Sequence, residues 1–153
     1  MNYEALIVFL IEAKKNTYAS GFGKVDSSRP HSYDLEFNSG KYKYIDSYLG
    51  THLFTGEEAI WNQLNPVWAM NYSGRVIIEE KFSSKFLKKA LMEPTIDYPF
   101  RGKPFYSEGD YTYVMEANGD FSWFIGRELI FNKDELVYEL NFHGGLVLDT
   151  HFD

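Results

Sequence analysis

Apolar residues along this chain recur with two periods, and the switch between them marks out the elements. From Tyr3 to Lys15, Leu6, Phe9, Leu10 and Ala13 follow helical spacing, while Ile7 and Ile11 widen the stripe. This predicts a first helix capped by Asn2, with Glu4 at its positive end and Lys14 and Lys15 at its negative end. Asn16 to Arg29 is rich in Gly, Ser and Asn and reads as a loop. The period then shortens to two. Ser32–Phe37, Lys41–Leu49, His52–Trp61 and Val67–Tyr72 read as strands, divided by turns at Asn38-Ser39-Gly40, Gly50-Thr51 and Asn62–Pro66. A second helix is predicted over Ser84–Met92, capped by Ser83, stapled by Phe82 against Leu87 and stopped by Pro94. Thr95–Glu108 reads as a loop with one edge strand. Strands follow at Tyr111–Glu116, Phe121–Phe131 and Leu136–Phe142, and Asn118-Gly119 between the first two is a strong hairpin signal.

Helix, loop, strands thus occurs twice. A shift of 70 superimposes Phe54, Gly56, Glu58, Ile60, Asn62, Val67, Asn71 and Gly74 on Phe124, Gly126, Glu128, Ile130, Asn132, Val137, Asn141 and Gly144. A shift of 69 does the same for Gly40, Tyr42, Tyr44 and Gly50 with Gly109, Tyr111, Tyr113 and Gly119. Two antiparallel blocks of similar composition would give a weaker version of this pattern. The expected fold is α+β: a curved antiparallel sheet of about seven or eight strands with two helices on one face. It is expected to be built from two α-then-β repeats, about 1–78 and 79–153, within a single domain 1–153.

Length agrees with one domain, since 153 residues can bury a core without staples. The absence of cysteine excludes thiolate metal sites, thiol catalysis and disulfides, and it fits a reducing compartment. With 15 Lys+Arg against 22 Asp+Glu the net charge is −7, which lacks the basic footprint of a nucleic-acid binder. The longest apolar run, Ala5–Ile11, falls well short of the about 20 residues a membrane helix needs. No cleavage-site pattern follows it, so a cytoplasmic protein with no membrane partner is expected. The chain is 18% aromatic, mostly 12 Tyr and 13 Phe, and this points to a ring-rich interior whose phenols need polar partners.

Strand parity then selects candidate chemistry. Glu58 shares parity with Phe54 and Ile60, and Glu128 with Phe124 and Ile130, so both acids point to an apolar face unless Gly56 or Gly126 marks a bulge. A buried carboxylate must be paired, neutralised or used. Arg29 and Arg101, one per repeat, are the natural partners; each pair could be a structural clamp or part of a ligand cavity. Asp46 shares a face with Tyr42, Tyr44 and Tyr48, where it could fix a core through phenol hydrogen bonds or hold a cationic or hydroxylated ligand. Asn71 and Asn141, before glycines, read as residues that satisfy turn backbone. His31, His52, His143 and His151 show no metal-binding spacing, and His143 beside two glycines reads as a surface turn. No metal, cofactor or catalytic residue is assigned.

The stretches Ala13–Ala19, Ser28–Pro30, Tyr44–Gly50, Phe54–Trp61, Pro66–Gly74, Phe100–Gly102 and Phe142–Gly145 together resemble a bacterial family of unknown function. Its members stand alone or lie C-terminal to a Cro/repressor-type helix-turn-helix in transcriptional regulators. The resemblance covers nearly the whole chain and implies a link to regulation but no activity. No helix-turn-helix precedes the helix at Tyr3, so direct operator binding is not implied.

These readings lead to a small-molecule-binding or sensing domain with a pocket between sheet and helices. Tyr42, Tyr44, Tyr48, Trp61, Trp68, Tyr72, Tyr111, Tyr113, Trp123 and Tyr138 would line it, and Glu58, Glu128, Asp46, Arg29 and Arg101 would orient the ligand. The alternatives are an enzyme using Glu58 or Glu128 as general acid/base, and an interaction module whose aromatic strands form a homodimer face.

Overall fold

The two-residue alternation becomes a nine-stranded open antiparallel sheet in the computed structural model, which describes residues 3–148. The expected cap Asn2 and His151 lie outside the described residues. The strands are β1 (Lys24–Val25), β2 (Tyr33–Ser39), β3 (Tyr42–Leu49), β4 (Leu53–Asn62), β5 (Asn65–Val76), β6 (Phe105–Glu108), β7 (Tyr111–Asp120), β8 (Trp123–Asn132) and β9 (Glu135–Leu146). Their order is β1-β2-β3-β4-β5-β9-β8-β7-β6, so the two long strands β5 and β9 meet at the centre. Nine strands exceed the expected seven or eight because Lys24–Val25, inside the predicted loop, adds a two-residue edge to β2.

Two helices cover one face. α1 (Glu4–Lys15) buries Phe9, Leu10, Ala13 and Lys14, and Phe9 meets the rings of Phe37 and Tyr42 on β2 and β3. α2 (Ser84–Leu91) buries Phe86, Leu87, Ala90 and Leu91, with Phe86 stacked on Tyr106 and Tyr111 of β6 and β7. The Ser83 hydroxyl accepts the Phe86 N–H at 3.2 Å, which makes it the expected cap. Phe82 stacks on the Tyr138 ring, 5.4 Å away.

The sheet face beneath the helices is the core. Ile60, Trp68, Met70, Ile130 and Leu140 are fully buried on it, and burying an Ile, Leu or Met side chain stabilises a fold by about 1.5–3 kcal/mol. Trp68 stacks on Phe121 and Phe124 at 5.2 Å and 5.7 Å and donates its indole N–H to the Phe121 carbonyl. That packing moves the second hairpin. The turn falls at Phe121-Ser122, not at Asn118-Gly119, because burying Phe121 against Trp68 and Tyr3 draws the chain beyond the Asn-Gly pair. Gly119 keeps φ at 96° inside β7, where a Cβ would lie 2.1 Å from the Trp123 carbonyl.

β5 and β9 also run past their predicted ends. Asn71, Asn141 and His143 are therefore exposed strand residues, not turn residues, and Pro66 sits in β5 opposite Trp61. The register shifts at Ile60/Trp61 on β4 and again at Ile130/Phe131 on β8. Gln63 and Lys133, in the two-residue turns that follow, share a left-handed φ of 58° and 55°. At the centre of the β5–β9 ladder, Tyr72 pairs with Phe142.

Candidate functional site

Neither Gly56 nor Gly126 carries a bulge, so the parity of Glu58 and Glu128 holds and both point under the helices. Glu128, fully buried on β8, is enclosed on all sides by donors. Arg101, in the loop between α2 and β6, donates Nε to Oε2 at 3.0 Å and Nη2 to Oε1 at 2.7 Å. Tyr113 and Tyr138 add hydroxyl bonds of 2.6 Å and 2.7 Å. Burial opposes the charge on Glu128, but the Arg101 guanidinium and these donors outweigh it and hold the carboxyl below its ordinary range. Burial likewise works against the charge on Arg101, and Glu128 more than offsets it.

Glu58 has a different partner from the one expected. Arg29 lies on the opposite, exposed side and donates to the Ser47 hydroxyl at 2.8 Å. The cation on Glu58 is Lys14 of α1, whose Nζ reaches both carboxylate oxygens at 2.7 Å and 2.8 Å, while the Tyr44 hydroxyl donates to Oε1. Burial lowers the Lys14 pKa despite this pairing. The signal for Lys14 was present in the sequence: it follows Leu10 by four residues and so belongs to the buried stripe.

Asp46 is the third acid of the cluster and is 5% exposed. Its Oδ1 accepts the Tyr72 hydroxyl at 2.6 Å. Tyr72 reaches across β4 because position 56 is glycine; a Cβ there would lie 2.5 Å from the Tyr72 hydroxyl and 2.6 Å from the Tyr48 Cβ. Burial, and then the charge of nearby Glu58, push the Asp46 carboxyl up to about 7. Met115 lies 69 residues after Asp46, and Phe142 lies 70 residues after Tyr72.

Asp46 and Arg101 border a cavity of about 360 Å³ between sheet and helices, within the roughly 300–1,000 Å³ range of small-molecule sites. Tyr18, Tyr48, Phe54, Phe82 and Tyr138 supply rings, with His52, Thr51 and Ser84 on the rim. A second space of about 20 Å³ lies between Asp46, Glu58, Lys14 and Tyr44, large enough for one water.

Of the expected pocket residues, the cavity gathers Asp46, Tyr48, Tyr72, Arg101 and Tyr138. Glu58, Glu128, Tyr44 and Tyr113 form its buried hydrogen-bonded support, and Trp68 is core. Tyr42 and Tyr111 pack against the helices. Trp61 and Arg29 line a shallow groove on the other face of the sheet, and Trp123 is 80% exposed. Trp61 and Trp123 point away from the helices, a side that aromatic content does not reveal, and Arg29 lies with Trp61 on that face. Tyr18, Phe54 and Phe82 were missed as wall residues. Only Phe54 carried a signal, its shared parity with Glu58.

Among the described residues no cluster of His, Asp and Glu could hold a metal ion, and no helix is long and apolar enough to cross a membrane. Residues 46–147 match the model of a family described as a domain of unknown function, DUF5680. No match to a curated protein or to a solved structure was found.

Proposed function

The chain belongs to the DUF5680 family, a domain of unknown function, and from its geometry we propose that it is a small-molecule-binding domain whose site is the cavity between sheet and helices. One observation carries this reading. A buried acid, Asp46, opens on a ring-walled space of about 360 Å³ and has no cation of its own. The closed pairs Lys14–Glu58 and Arg101–Glu128 lie beneath the cavity, which favours reading both glutamates as structural. A second reading rests on Asp46 alone: a carboxyl at about 7 beside a cavity suits general acid/base work on a bound substrate.

The matched bulges, turns and central pairing support reading the two halves as repeats of one unit. On that reading, the site lies where the halves differ, at Asp46 and Tyr72 against Met115 and Phe142. A ligand-binding domain would also suit the family the chain resembles, some of whose members lie C-terminal to a Cro/repressor-type helix-turn-helix.

The test is a thermal-shift screen of a metabolite library against the wild type and Ser84→Trp. Ser84 is exposed on the rim, so a bulky ring there narrows the entrance while the fold is kept. Ligands that raise the wild-type Tm and leave the variant unmoved support the cavity as the site. Equal shifts in both, or no hit at all, count against it.

A further inference from the structure

We propose that the ligand carries a positive charge, an ammonium group on an aromatic or aliphatic tail, which seats on Asp46 with the tail against the rings of the cavity. This rests on the reading of the cavity as a ligand site. The charge balance of the buried cluster supports it. Lys14 and Arg101 are two cations, and Asp46, Glu58 and Glu128 are three carboxyls, all at least nine-tenths buried. Both cations are committed: Lys14 spans the two oxygens of Glu58, and Arg101 is forked on Glu128. One positive charge is lacking, at the acid that faces the cavity.

The surroundings of Asp46 agree with a cation. Lys14 comes from α1, Tyr18 from the loop after it, Glu58 from β4, Tyr72 from β5 and Arg101 from the loop after α2. With Asp46 ionised, these groups and Glu128 sum to one negative charge. Tyr48, Tyr72 and Tyr138 border the same space, and the Tyr72 ring already carries the Arg101 guanidinium 5.6 Å from its centroid. Arg101 uses Nε and Nη2 on Glu128, so its remaining nitrogen can donate to a hydroxyl or carbonyl elsewhere on the ligand.

Paired probes of the same shape test the charge. Calorimetric titration with 2-phenylethylamine and with 2-phenylethanol should show the amine binding at least tenfold tighter. Asp46→Asn, which keeps an acceptor for Tyr72, should erase that preference. The ionised fraction of a carboxyl near 7 rises about tenfold from pH 6 to pH 8, so wild-type affinity for the amine should rise by about that factor, with proton release. A neutral ligand held by protonated Asp46 would show the opposite trend. Equal binding of amine and alcohol, unchanged amine binding in Asp46→Asn, or no binding of the amine overturns the charge assignment. If neutral compounds then bind and lose affinity in Ser84→Trp, the cavity reading survives alone; if nothing binds, both fall.

Discussion

Arg101 grips Glu128 through two parallel bonds, Nε to Oε2 at 3.0 Å and Nη2 to Oε1 at 2.7 Å, with no exposure of the carboxylate. Such a pair contributes little over a well-packed apolar pair, but breaking it strands a charge. Arg101→Ala should therefore cost about 3–5 kcal/mol in urea denaturation, more than a surface pair such as Arg127–Glu116. Arg101→Lys keeps the charge and loses the fork, so its loss should be intermediate. A loss below about 1 kcal/mol for Arg101→Ala would show that the pair does not close the second half of the core.

Lys14 and Glu58 allow the same logic to be run as a cycle. Lys14→Met keeps the length of the stem and removes the charge, leaving Glu58 with the Tyr44 hydroxyl. The single variant should lose about 3–5 kcal/mol, and adding Glu58→Gln should restore much of it because no bare charge is then buried. Additive losses in the double variant would mean that the two side chains act independently.

The pairing of Glu58 shows which parts of the site could be read from the chain alone. That Glu58 and Glu128 face inward followed from strand alternation, a local property that survives because the register shifts come only after Ile60 and Ile130. Which cation meets which acid is a long-range property. Arg29 and Lys14 precede Glu58 alike, and only the path of α1 over β3 and β4 decides for Lys14. The two-residue β1 has too few positions to show a period, and the Asn-Gly pair was overruled by the burial of Phe121. The cavity was legible only as a surplus of aromatic residues. Its shape depends on the gap that α1 and α2 leave above β3 to β5, which no local pattern encodes.

Asp46 should make the protein less stable in base than in mild acid, relative to a variant without the charge. Its folded-state pKa, about 7, lies above the ordinary 3.8. The raised value means that folding favours the protonated form. The associated stability is fully present below about 4 and is lost as pH rises through 7. Asp46→Asn should therefore match the wild type near pH 4 and exceed its Tm at pH 8, without added ligand. Parallel Tm curves for the two proteins across this range would show that Asp46 titrates normally. Glu128, held below its ordinary range, works with the opposite sign, but its contribution is common to both proteins and cancels in the difference.

Gly56 lets Tyr72 cross β4 to reach Asp46, and that crossing can be tested without touching a charge. Its backbone is extended, so alanine is tolerated by the chain itself. The obstacle is the 2.6 Å approach of a Cβ to both the Tyr72 ring and the Tyr48 Cβ. Tyr48 is fixed at its Cβ by the β3–β4 register, so the Tyr72 ring must give way and its hydroxyl must leave Asp46. Gly56→Ala should cost about 1–3 kcal/mol by overpacking. The cost should shrink when Tyr72→Leu is introduced first, because the displaced ring is then absent and only the Tyr48 contact remains. A cost unchanged by Tyr72→Leu would place the whole conflict at Tyr48 and leave the Tyr72–Asp46 bond independent of the glycine.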